Sequence, residues 1–180
     1  MGMKNKGIVW KEVSAAGSST MLPAGGYVAI IKDVEDNENS EYLEFTYDIA
    51  EGDKKDFFAS DTRKYTHQFR RYYTEKSLPY MAHFLECVED SNSGFSLDEW
   101  DSDPNDLKGK LVGIIVQRED YTNQAGEDRA RMNVEWFAKA DDIRNGRYKL
   151  PDPKDTRKKN EKDAESTEDS GSVYDADIPF

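Results

Sequence analysis

Tyr42-Leu43-Glu44-Phe45-Thr46-Tyr47-Asp48-Ile49 is the stretch on which the reading of the fold turns. Leu43, Phe45, Tyr47 and Ile49 share one face of an extended chain, and Tyr42, Glu44, Thr46 and Asp48 share the other. This period of two marks a strand with one face buried and one face wetted. Upstream, Tyr27 to Val34 is a second β-rich run, joined to the first by the polar Glu35 to Ser40, so the two are expected to form a hairpin. Downstream, Glu51-Gly52-Asp53 closes the strand, and Phe57-Phe58 is expected to start a short third one.

Farther along, Ser77 is placed to cap a helix with Pro79 in its first turn. Met81, Phe84, Leu85 and Val88 fall at i, i+3, i+4 and i+7, a stripe that faces a core. Leu111 to Arg118 is apolar on both faces and reads as a central strand. Thr122 to Asp128, with Gly126, is a hairpin turn. It leads into a strand with Met132, Val134 and Trp136 inside and Arg129, Arg131, Asn133 and Glu135 outside. Two or three strands, a helix, then two strands is the element order of a small five-stranded OB-fold-like barrel, so the fold expected is mainly β with one helix. From Pro151 onward the chain has no large apolar side chain until Val173 and cannot build a core. The division expected is a binding domain over 1–150 and a disordered linker with an acidic tip over 151–180.

At 180 residues the chain has room for one ordinary domain and an appendage. No apolar run approaches the roughly 20 residues that span a bilayer, and the start of the chain lacks a secretory apolar region, so a cytoplasmic protein without membrane partners is expected. Cys87 alone allows no internal disulfide and reads as a packed thiol; His67 and His83 read as surface residues, too few for a zinc cage. Asp98, Glu99, Asp101, Asp103 and Asp106 lack the central glycine of a calcium loop and include Pro104, so a solvated loop is expected there and no metal. No GxxxxGK[ST] loop, GxSxG elbow or HExxH pair occurs, and neither an enzyme nor a cofactor is expected.

The formal charge of −12 is unevenly spread. Residues 33–53 carry nine acids and no base, and residues 163–180 carry six acids and no base. Residues 54–76 hold seven bases against three acids. Sequence-tolerant binding of a nucleic-acid strand needs cations along a groove and aromatic faces for the bases. Arg63-Lys64-Tyr65 and Phe69-Arg70-Arg71-Tyr72-Tyr73 interleave those two types, with Lys54 and Lys55 as further phosphate contacts. Arg118 and Tyr121 near the later hairpin, and Arg129 and Arg131 on the returning strand, complete the candidate set. Tyr42, Glu44 and Asp48 on the outer face of their strand argue for a neighbouring surface.

The chain closes on Asp175-Ala176-Asp177-Ile178-Pro179-Phe180, a carboxylate beside a phenyl ring with acids just upstream, suited to a basic-rimmed apolar pocket on another protein. With its acidic spacer, Asp177-Ile178-Pro179-Phe180 resembles the C-terminal tip of bacterial and bacteriophage single-stranded-DNA-binding proteins. The body is similar to a family encoded by phages of Gram-positive hosts, through Leu22-Pro23-Ala24-Gly25-Gly26-Tyr27-Val28, Tyr42-Leu43-Glu44-Phe45, Asp48-Ile49-Ala50-Glu51-Gly52 and Glu89-Asp90-Ser91-Asn92. Leu107-Lys108-Gly109-Lys110, Arg118-Glu119-Asp120-Tyr121 and Ile143-Arg144-Asn145-Gly146 extend the likeness. That resemblance implies a non-catalytic protein that coats single-stranded DNA in the host-cell cytoplasm. It also implies that Asp175, Asp177, Ile178, Pro179 and Phe180 dock replication or recombination proteins. The tetramer-forming features of the bacterial family are not recognisable, so a monomer or homodimer is expected. The alternative is a protein-interaction adaptor or an acidic mimic of DNA that does not bind DNA.

Overall fold

The alternating stretch forms strand β2 (Tyr42–Ile49) in the computed structural model, which describes residues 21–158 together with Lys4 and Gly7. Leu43, Phe45, Tyr47 and Ile49 all point into the core and are buried. Asp48 departs from the outward face expected of it. It is buried because its Oδ1 accepts hydrogen bonds from the backbone N–H groups of Ile49 (2.8 Å) and Phe58 (2.9 Å), which satisfy the carboxylate and pin the turns over 51–60 to the strand.

β2 pairs antiparallel with β1 (Gly25–Asn37), the expected hairpin, and on its other side with β3 (Gln68–Tyr72). In β1 a bulge at Lys32 shifts the register between Ile31 and Asp33, so Ile31 and then Val34 face inward. The third strand does not lie at Phe57-Phe58. Phe58 is instead buried in the turns, edge-on to Tyr47 and stacked on His67 (centroids 4.7 Å apart). β3 comes from the basic–aromatic stretch, where five residues with only Phe69 fully inward are too few to display a period.

Helix α1 (Leu78–Ser91) begins after Ser77, with Pro79 in its first turn, as expected. The Ser77 hydroxyl, however, accepts from Thr74 rather than capping a helix N–H. Met81, Phe84, Cys87 and Val88 are buried, and Leu85 is only partly so. β4 (Leu111–Thr122) is central, lying between β1 and β5 (Asp128–Ala138), and Gly126 at φ +83° permits the tight turn that joins β4 to β5. A bulge at Ile115/Val116 sets Val134 opposite Val116 but Trp136 opposite Ile115. Met132 and Val134 therefore pack inward as expected, whereas Trp136 is 38% exposed and Phe137, at 2%, fills the core in its place.

A second short helix, α2 (Ala140–Arg144), leads into a segment that runs back along β4. The Gly26 N–H donates to the Tyr148 hydroxyl (3.0 Å), and Gln117 Nε2 donates to the Pro151 carbonyl (2.6 Å). β1 stops opposite Val116, leaving the rest of that β4 edge open, and β6 (Lys154–Asp155) pairs with it in parallel at Glu119 and Asp120. The folded body thus runs past residue 150.

The strand order is β3-β2-β1-β4-β5, with β6 beside β4 and α1 between β3 and β4 in the chain. This mainly β arrangement is OB-fold-like, but the barrel is not closed, since β3 and β5 do not pair. Phe45, Phe69, Phe84 and Phe137 form the aromatic centre of the core, with ring centroids 4.9–5.7 Å apart. Among the described residues no helix is long and apolar enough to cross a membrane.

Candidate nucleic-acid interface

Where a closed barrel would join β3 to β5, a cleft of about 1410 Å³ opens. One wall comes from β3 and the turn before it, the other from β5 and the end of β4. Phe57, Phe69, Met132, Val134 and Phe137 contribute apolar surface. Among the described residues six cations line it, Arg63, Arg70, Arg71, Arg129, Arg131 and Lys154, against two acids, Asp61 and Glu135. In a protein that is anionic overall, this gathers cationic side chains beside aromatic rings.

Eight of the residues expected from the sequence meet here, from stretches far apart in the chain: Arg63, Tyr65, Phe69, Arg70 and Arg71 with Tyr121, Arg129 and Arg131. Tyr65 stands 74% exposed on the turn before β3. Tyr121 lies under the guanidinium of Arg131, whose Cζ is 4.5 Å from the ring centroid. Phe69 is a core residue, 9% exposed, that reaches the cleft from below.

The remaining six lie elsewhere. Lys54 and Lys55 sit in the turns after β2, and Lys64 is exposed on the turn before β3 without lining the cleft. Arg118 is exposed and bonded to Asp120 (2.9 Å). Tyr72 packs on Tyr42, with centroids 5.2 Å apart. The Tyr73 hydroxyl donates to Asp36 (2.7 Å), and that bond pushes its pKa up to about 12. Conversely, Met132, Asn133, Glu135 and Lys154 line the cleft without having been singled out as contacts. For Lys154 the sequence carries no signal, because it follows Pro151 in a run without apolar residues and is placed only by the open edge of β4.

Five of the six cations hold a carboxylate. Arg63 bonds Asp61 (2.9 Å), Arg70 bonds Glu44 (2.7 Å), Arg131 bonds Glu119 (2.6 Å), Lys154 bonds Glu135 (2.7 Å), and Arg129 bonds Glu127. The side-chain hydrogen bond from Arg63 holds Asp61 far below the usual carboxylate range, and Arg129 lowers Glu127 in the same way. Arg71 is the exception. It has no acidic partner among the described residues, and burial lowers its pKa. Its Nη2 donates to the Tyr80 carbonyl of α1 (3.1 Å), its Cζ sits 4.9 Å from the Phe137 ring centroid, and its Nε is buried with no partner among the described residues.

No family model matches the chain, and neither does any curated protein. The side chains of the cleft define its chemistry. The other titratable candidates fall away from it. Cys87 is buried, its thiol pushed up to about 11 by that burial. His67, expected at the surface, is buried against Phe58 and Tyr47, with its pKa lowered by the burial. His83, also expected to be a plain surface residue, stacks on Trp136 (4.6 Å), and its Nε2 donates to the Phe137 carbonyl (3.1 Å). The acidic loop around Asp101 is held by its own hydrogen bonds, such as Asp103 Oδ1 accepting from the Asn105 N–H (3.0 Å). No cluster of potential metal ligands is present among the described residues. The tip residues Asp175, Asp177, Ile178, Pro179 and Phe180 lie outside the described residues.

Proposed function

We propose that the protein binds single-stranded DNA in the cleft between β3 and β5, without catalysis, and engages replication or recombination proteins through its C-terminal residues Asp175, Asp177, Ile178, Pro179 and Phe180. One observation carries the first half: the unclosed side of the barrel gathers six cations and several aromatic rings from distant parts of the chain into one groove. A strand lying there would set its phosphates against the arginines and its bases against faces such as those of Tyr65 and Tyr121, each stack worth about 1–3 kcal/mol. A duplex keeps its bases stacked on one another and offers no such faces.

The test is a titration of the full chain with labelled oligo-dT and with a duplex of equal length. Oligo-dT should bind more tightly, with affinity that falls as salt rises, since displaced counterions accompany every phosphate contact. Equal or absent binding of both, or an affinity indifferent to salt, defeats the reading.

A second reading, an adaptor that contacts proteins and not DNA, draws on the ion pairing of five of the six cleft cations, which lowers the field available to phosphate. Under it neither oligonucleotide binds, and a partner is captured only by chains that retain Phe180.

A further inference from the structure

The cleft's cations are not equivalent. Phosphate can engage Arg63, Arg70, Arg129, Arg131 or Lys154 only by sharing or displacing a carboxylate already bonded there. A displaced carboxylate recruits a solution cation, which cancels part of the counterion release that drives binding. Among the described residues Arg71 has no such carboxylate bonded to it. Its guanidinium rests on Phe137, is tied to α1 through the Tyr80 carbonyl, and keeps a buried Nε–H without an acceptor among those residues. That Nε is shielded from solvent, so a phosphate oxygen would meet the guanidinium at its outer nitrogens, on the side that lines the cleft. The apolar contact with Phe137 and the bond to Tyr80 preorganise the planar group, so little side-chain freedom remains to be lost on binding.

Resting on the reading that the cleft takes single-stranded DNA, we propose that Arg71 is the anchoring phosphate site of the bound strand, the position that contributes most to both affinity and salt dependence. The carboxylate-bonded arginines serve mainly to shape the groove and to hold ring faces in place, as Arg131 does over Tyr121.

The experiment measures oligo-dT affinity of the full chain over a series of salt concentrations, for the wild type and for Arg71→Gln, Arg129→Gln and Arg131→Gln. Arg71→Gln should weaken binding by at least about tenfold at low salt. It should also flatten the plot of log affinity against log salt by about 0.7, the share of one phosphate on a single strand. Arg129→Gln and Arg131→Gln should flatten it by distinctly less. Arg71→Lys keeps the charge but loses the planar guanidinium, and should retain the slope while recovering only part of the affinity. Far-UV circular dichroism verifies folding, and if the glutamine variant does not fold, wild-type affinity in Arg71→Lys overturns the proposal. So does a folded Arg71→Gln with unchanged affinity. A loss of affinity at constant slope also overturns it, since the contact would then be to a base and not to a phosphate. A wild-type protein that fails to bind oligo-dT rejects the function itself, an outcome distinct from these.

Discussion

Arg131 lies over the ring of Tyr121 with its Cζ 4.5 Å from the centroid, while Glu119 accepts hydrogen bonds from the same guanidinium at Nε (3.2 Å) and Nη2 (2.6 Å). Glu119 is itself buried at 7%, in β4 beside β6, and also accepts from Asn133 (3.1 Å). A cation on an edge strand is thereby fixed against an aromatic ring at the cleft.

If that ring supports a base, Tyr121→Ala should lose about 1–3 kcal/mol of oligo-dT binding and Tyr121→Phe very little. Fluorescence anisotropy of the two variants decides the point. Equal binding by Tyr121→Ala and wild type would remove this ring from the interface.

The bulge in the β4–β5 pairing makes a prediction about stability. Phe137→Ala empties a fully packed core position and should cost about 3–5 kcal/mol in denaturant unfolding. Trp136→Ala, at a position 38% exposed, should cost clearly less. The reverse order would mean that Trp136, not Phe137, faces the core.

Gly113 sits near the start of β4, where an added Cβ would lie 2.6 Å from the carbonyl oxygen of Ala138 and 2.7 Å from Ile143. The backbone oxygen cannot swing aside as a side chain would. Gly113→Ala should therefore destabilise by roughly 1–3 kcal/mol, as overpacking does, with a lowered melting temperature as the readout. A wild-type melting temperature would contradict the close approach of these strands.

His67 supplies a pH dependence. Burial lowers its pKa in the folded state despite the opposing influence of Asp61 and Asp48, and its neighbours Phe58, Tyr47 and Thr66 bring no further charge. The folded state therefore binds fewer protons than the unfolded chain. Stability is fully present above the unfolded value near 6.5 and falls as pH drops below it, by up to about 1.4 kcal/mol per pH unit. Urea unfolding of wild type and His67→Phe between neutral and mildly acidic pH tests this, and parallel losses in the two proteins would assign the effect to other groups.

The last described residues also bear on the acidic tail. β6 and Lys154 bring the chain to the rim of the cleft before residues 159–180 begin. A tail whose residues 163–180 hold six acids and no base, tethered there, would compete with DNA for the cleft cations. Deleting residues 163–180 should tighten oligo-dT binding at low salt, and unchanged or weaker binding would speak against competition within the chain.

Periodicity by itself determined the β1–β2 hairpin, the inward faces of β2 and α1, and the central place of β4, because alternation and the helical stripe are local consequences of burying one face. Residue type, not period, marked the two cation-rich, aromatic stretches, part of which lines the cleft. What only the tertiary structure decided were features set by pairing across the sheet. A bulge exchanged Trp136 for Phe137, and two backbone N–H groups drew Asp48 inward. The open edge of β4 gave Lys154 its place. The missing β3–β5 pairing turned a would-be seam into a groove, and left Arg71 there with no carboxylate partner among the described residues. Such features depend on which residues meet at long range, and no local period in the chain encodes that.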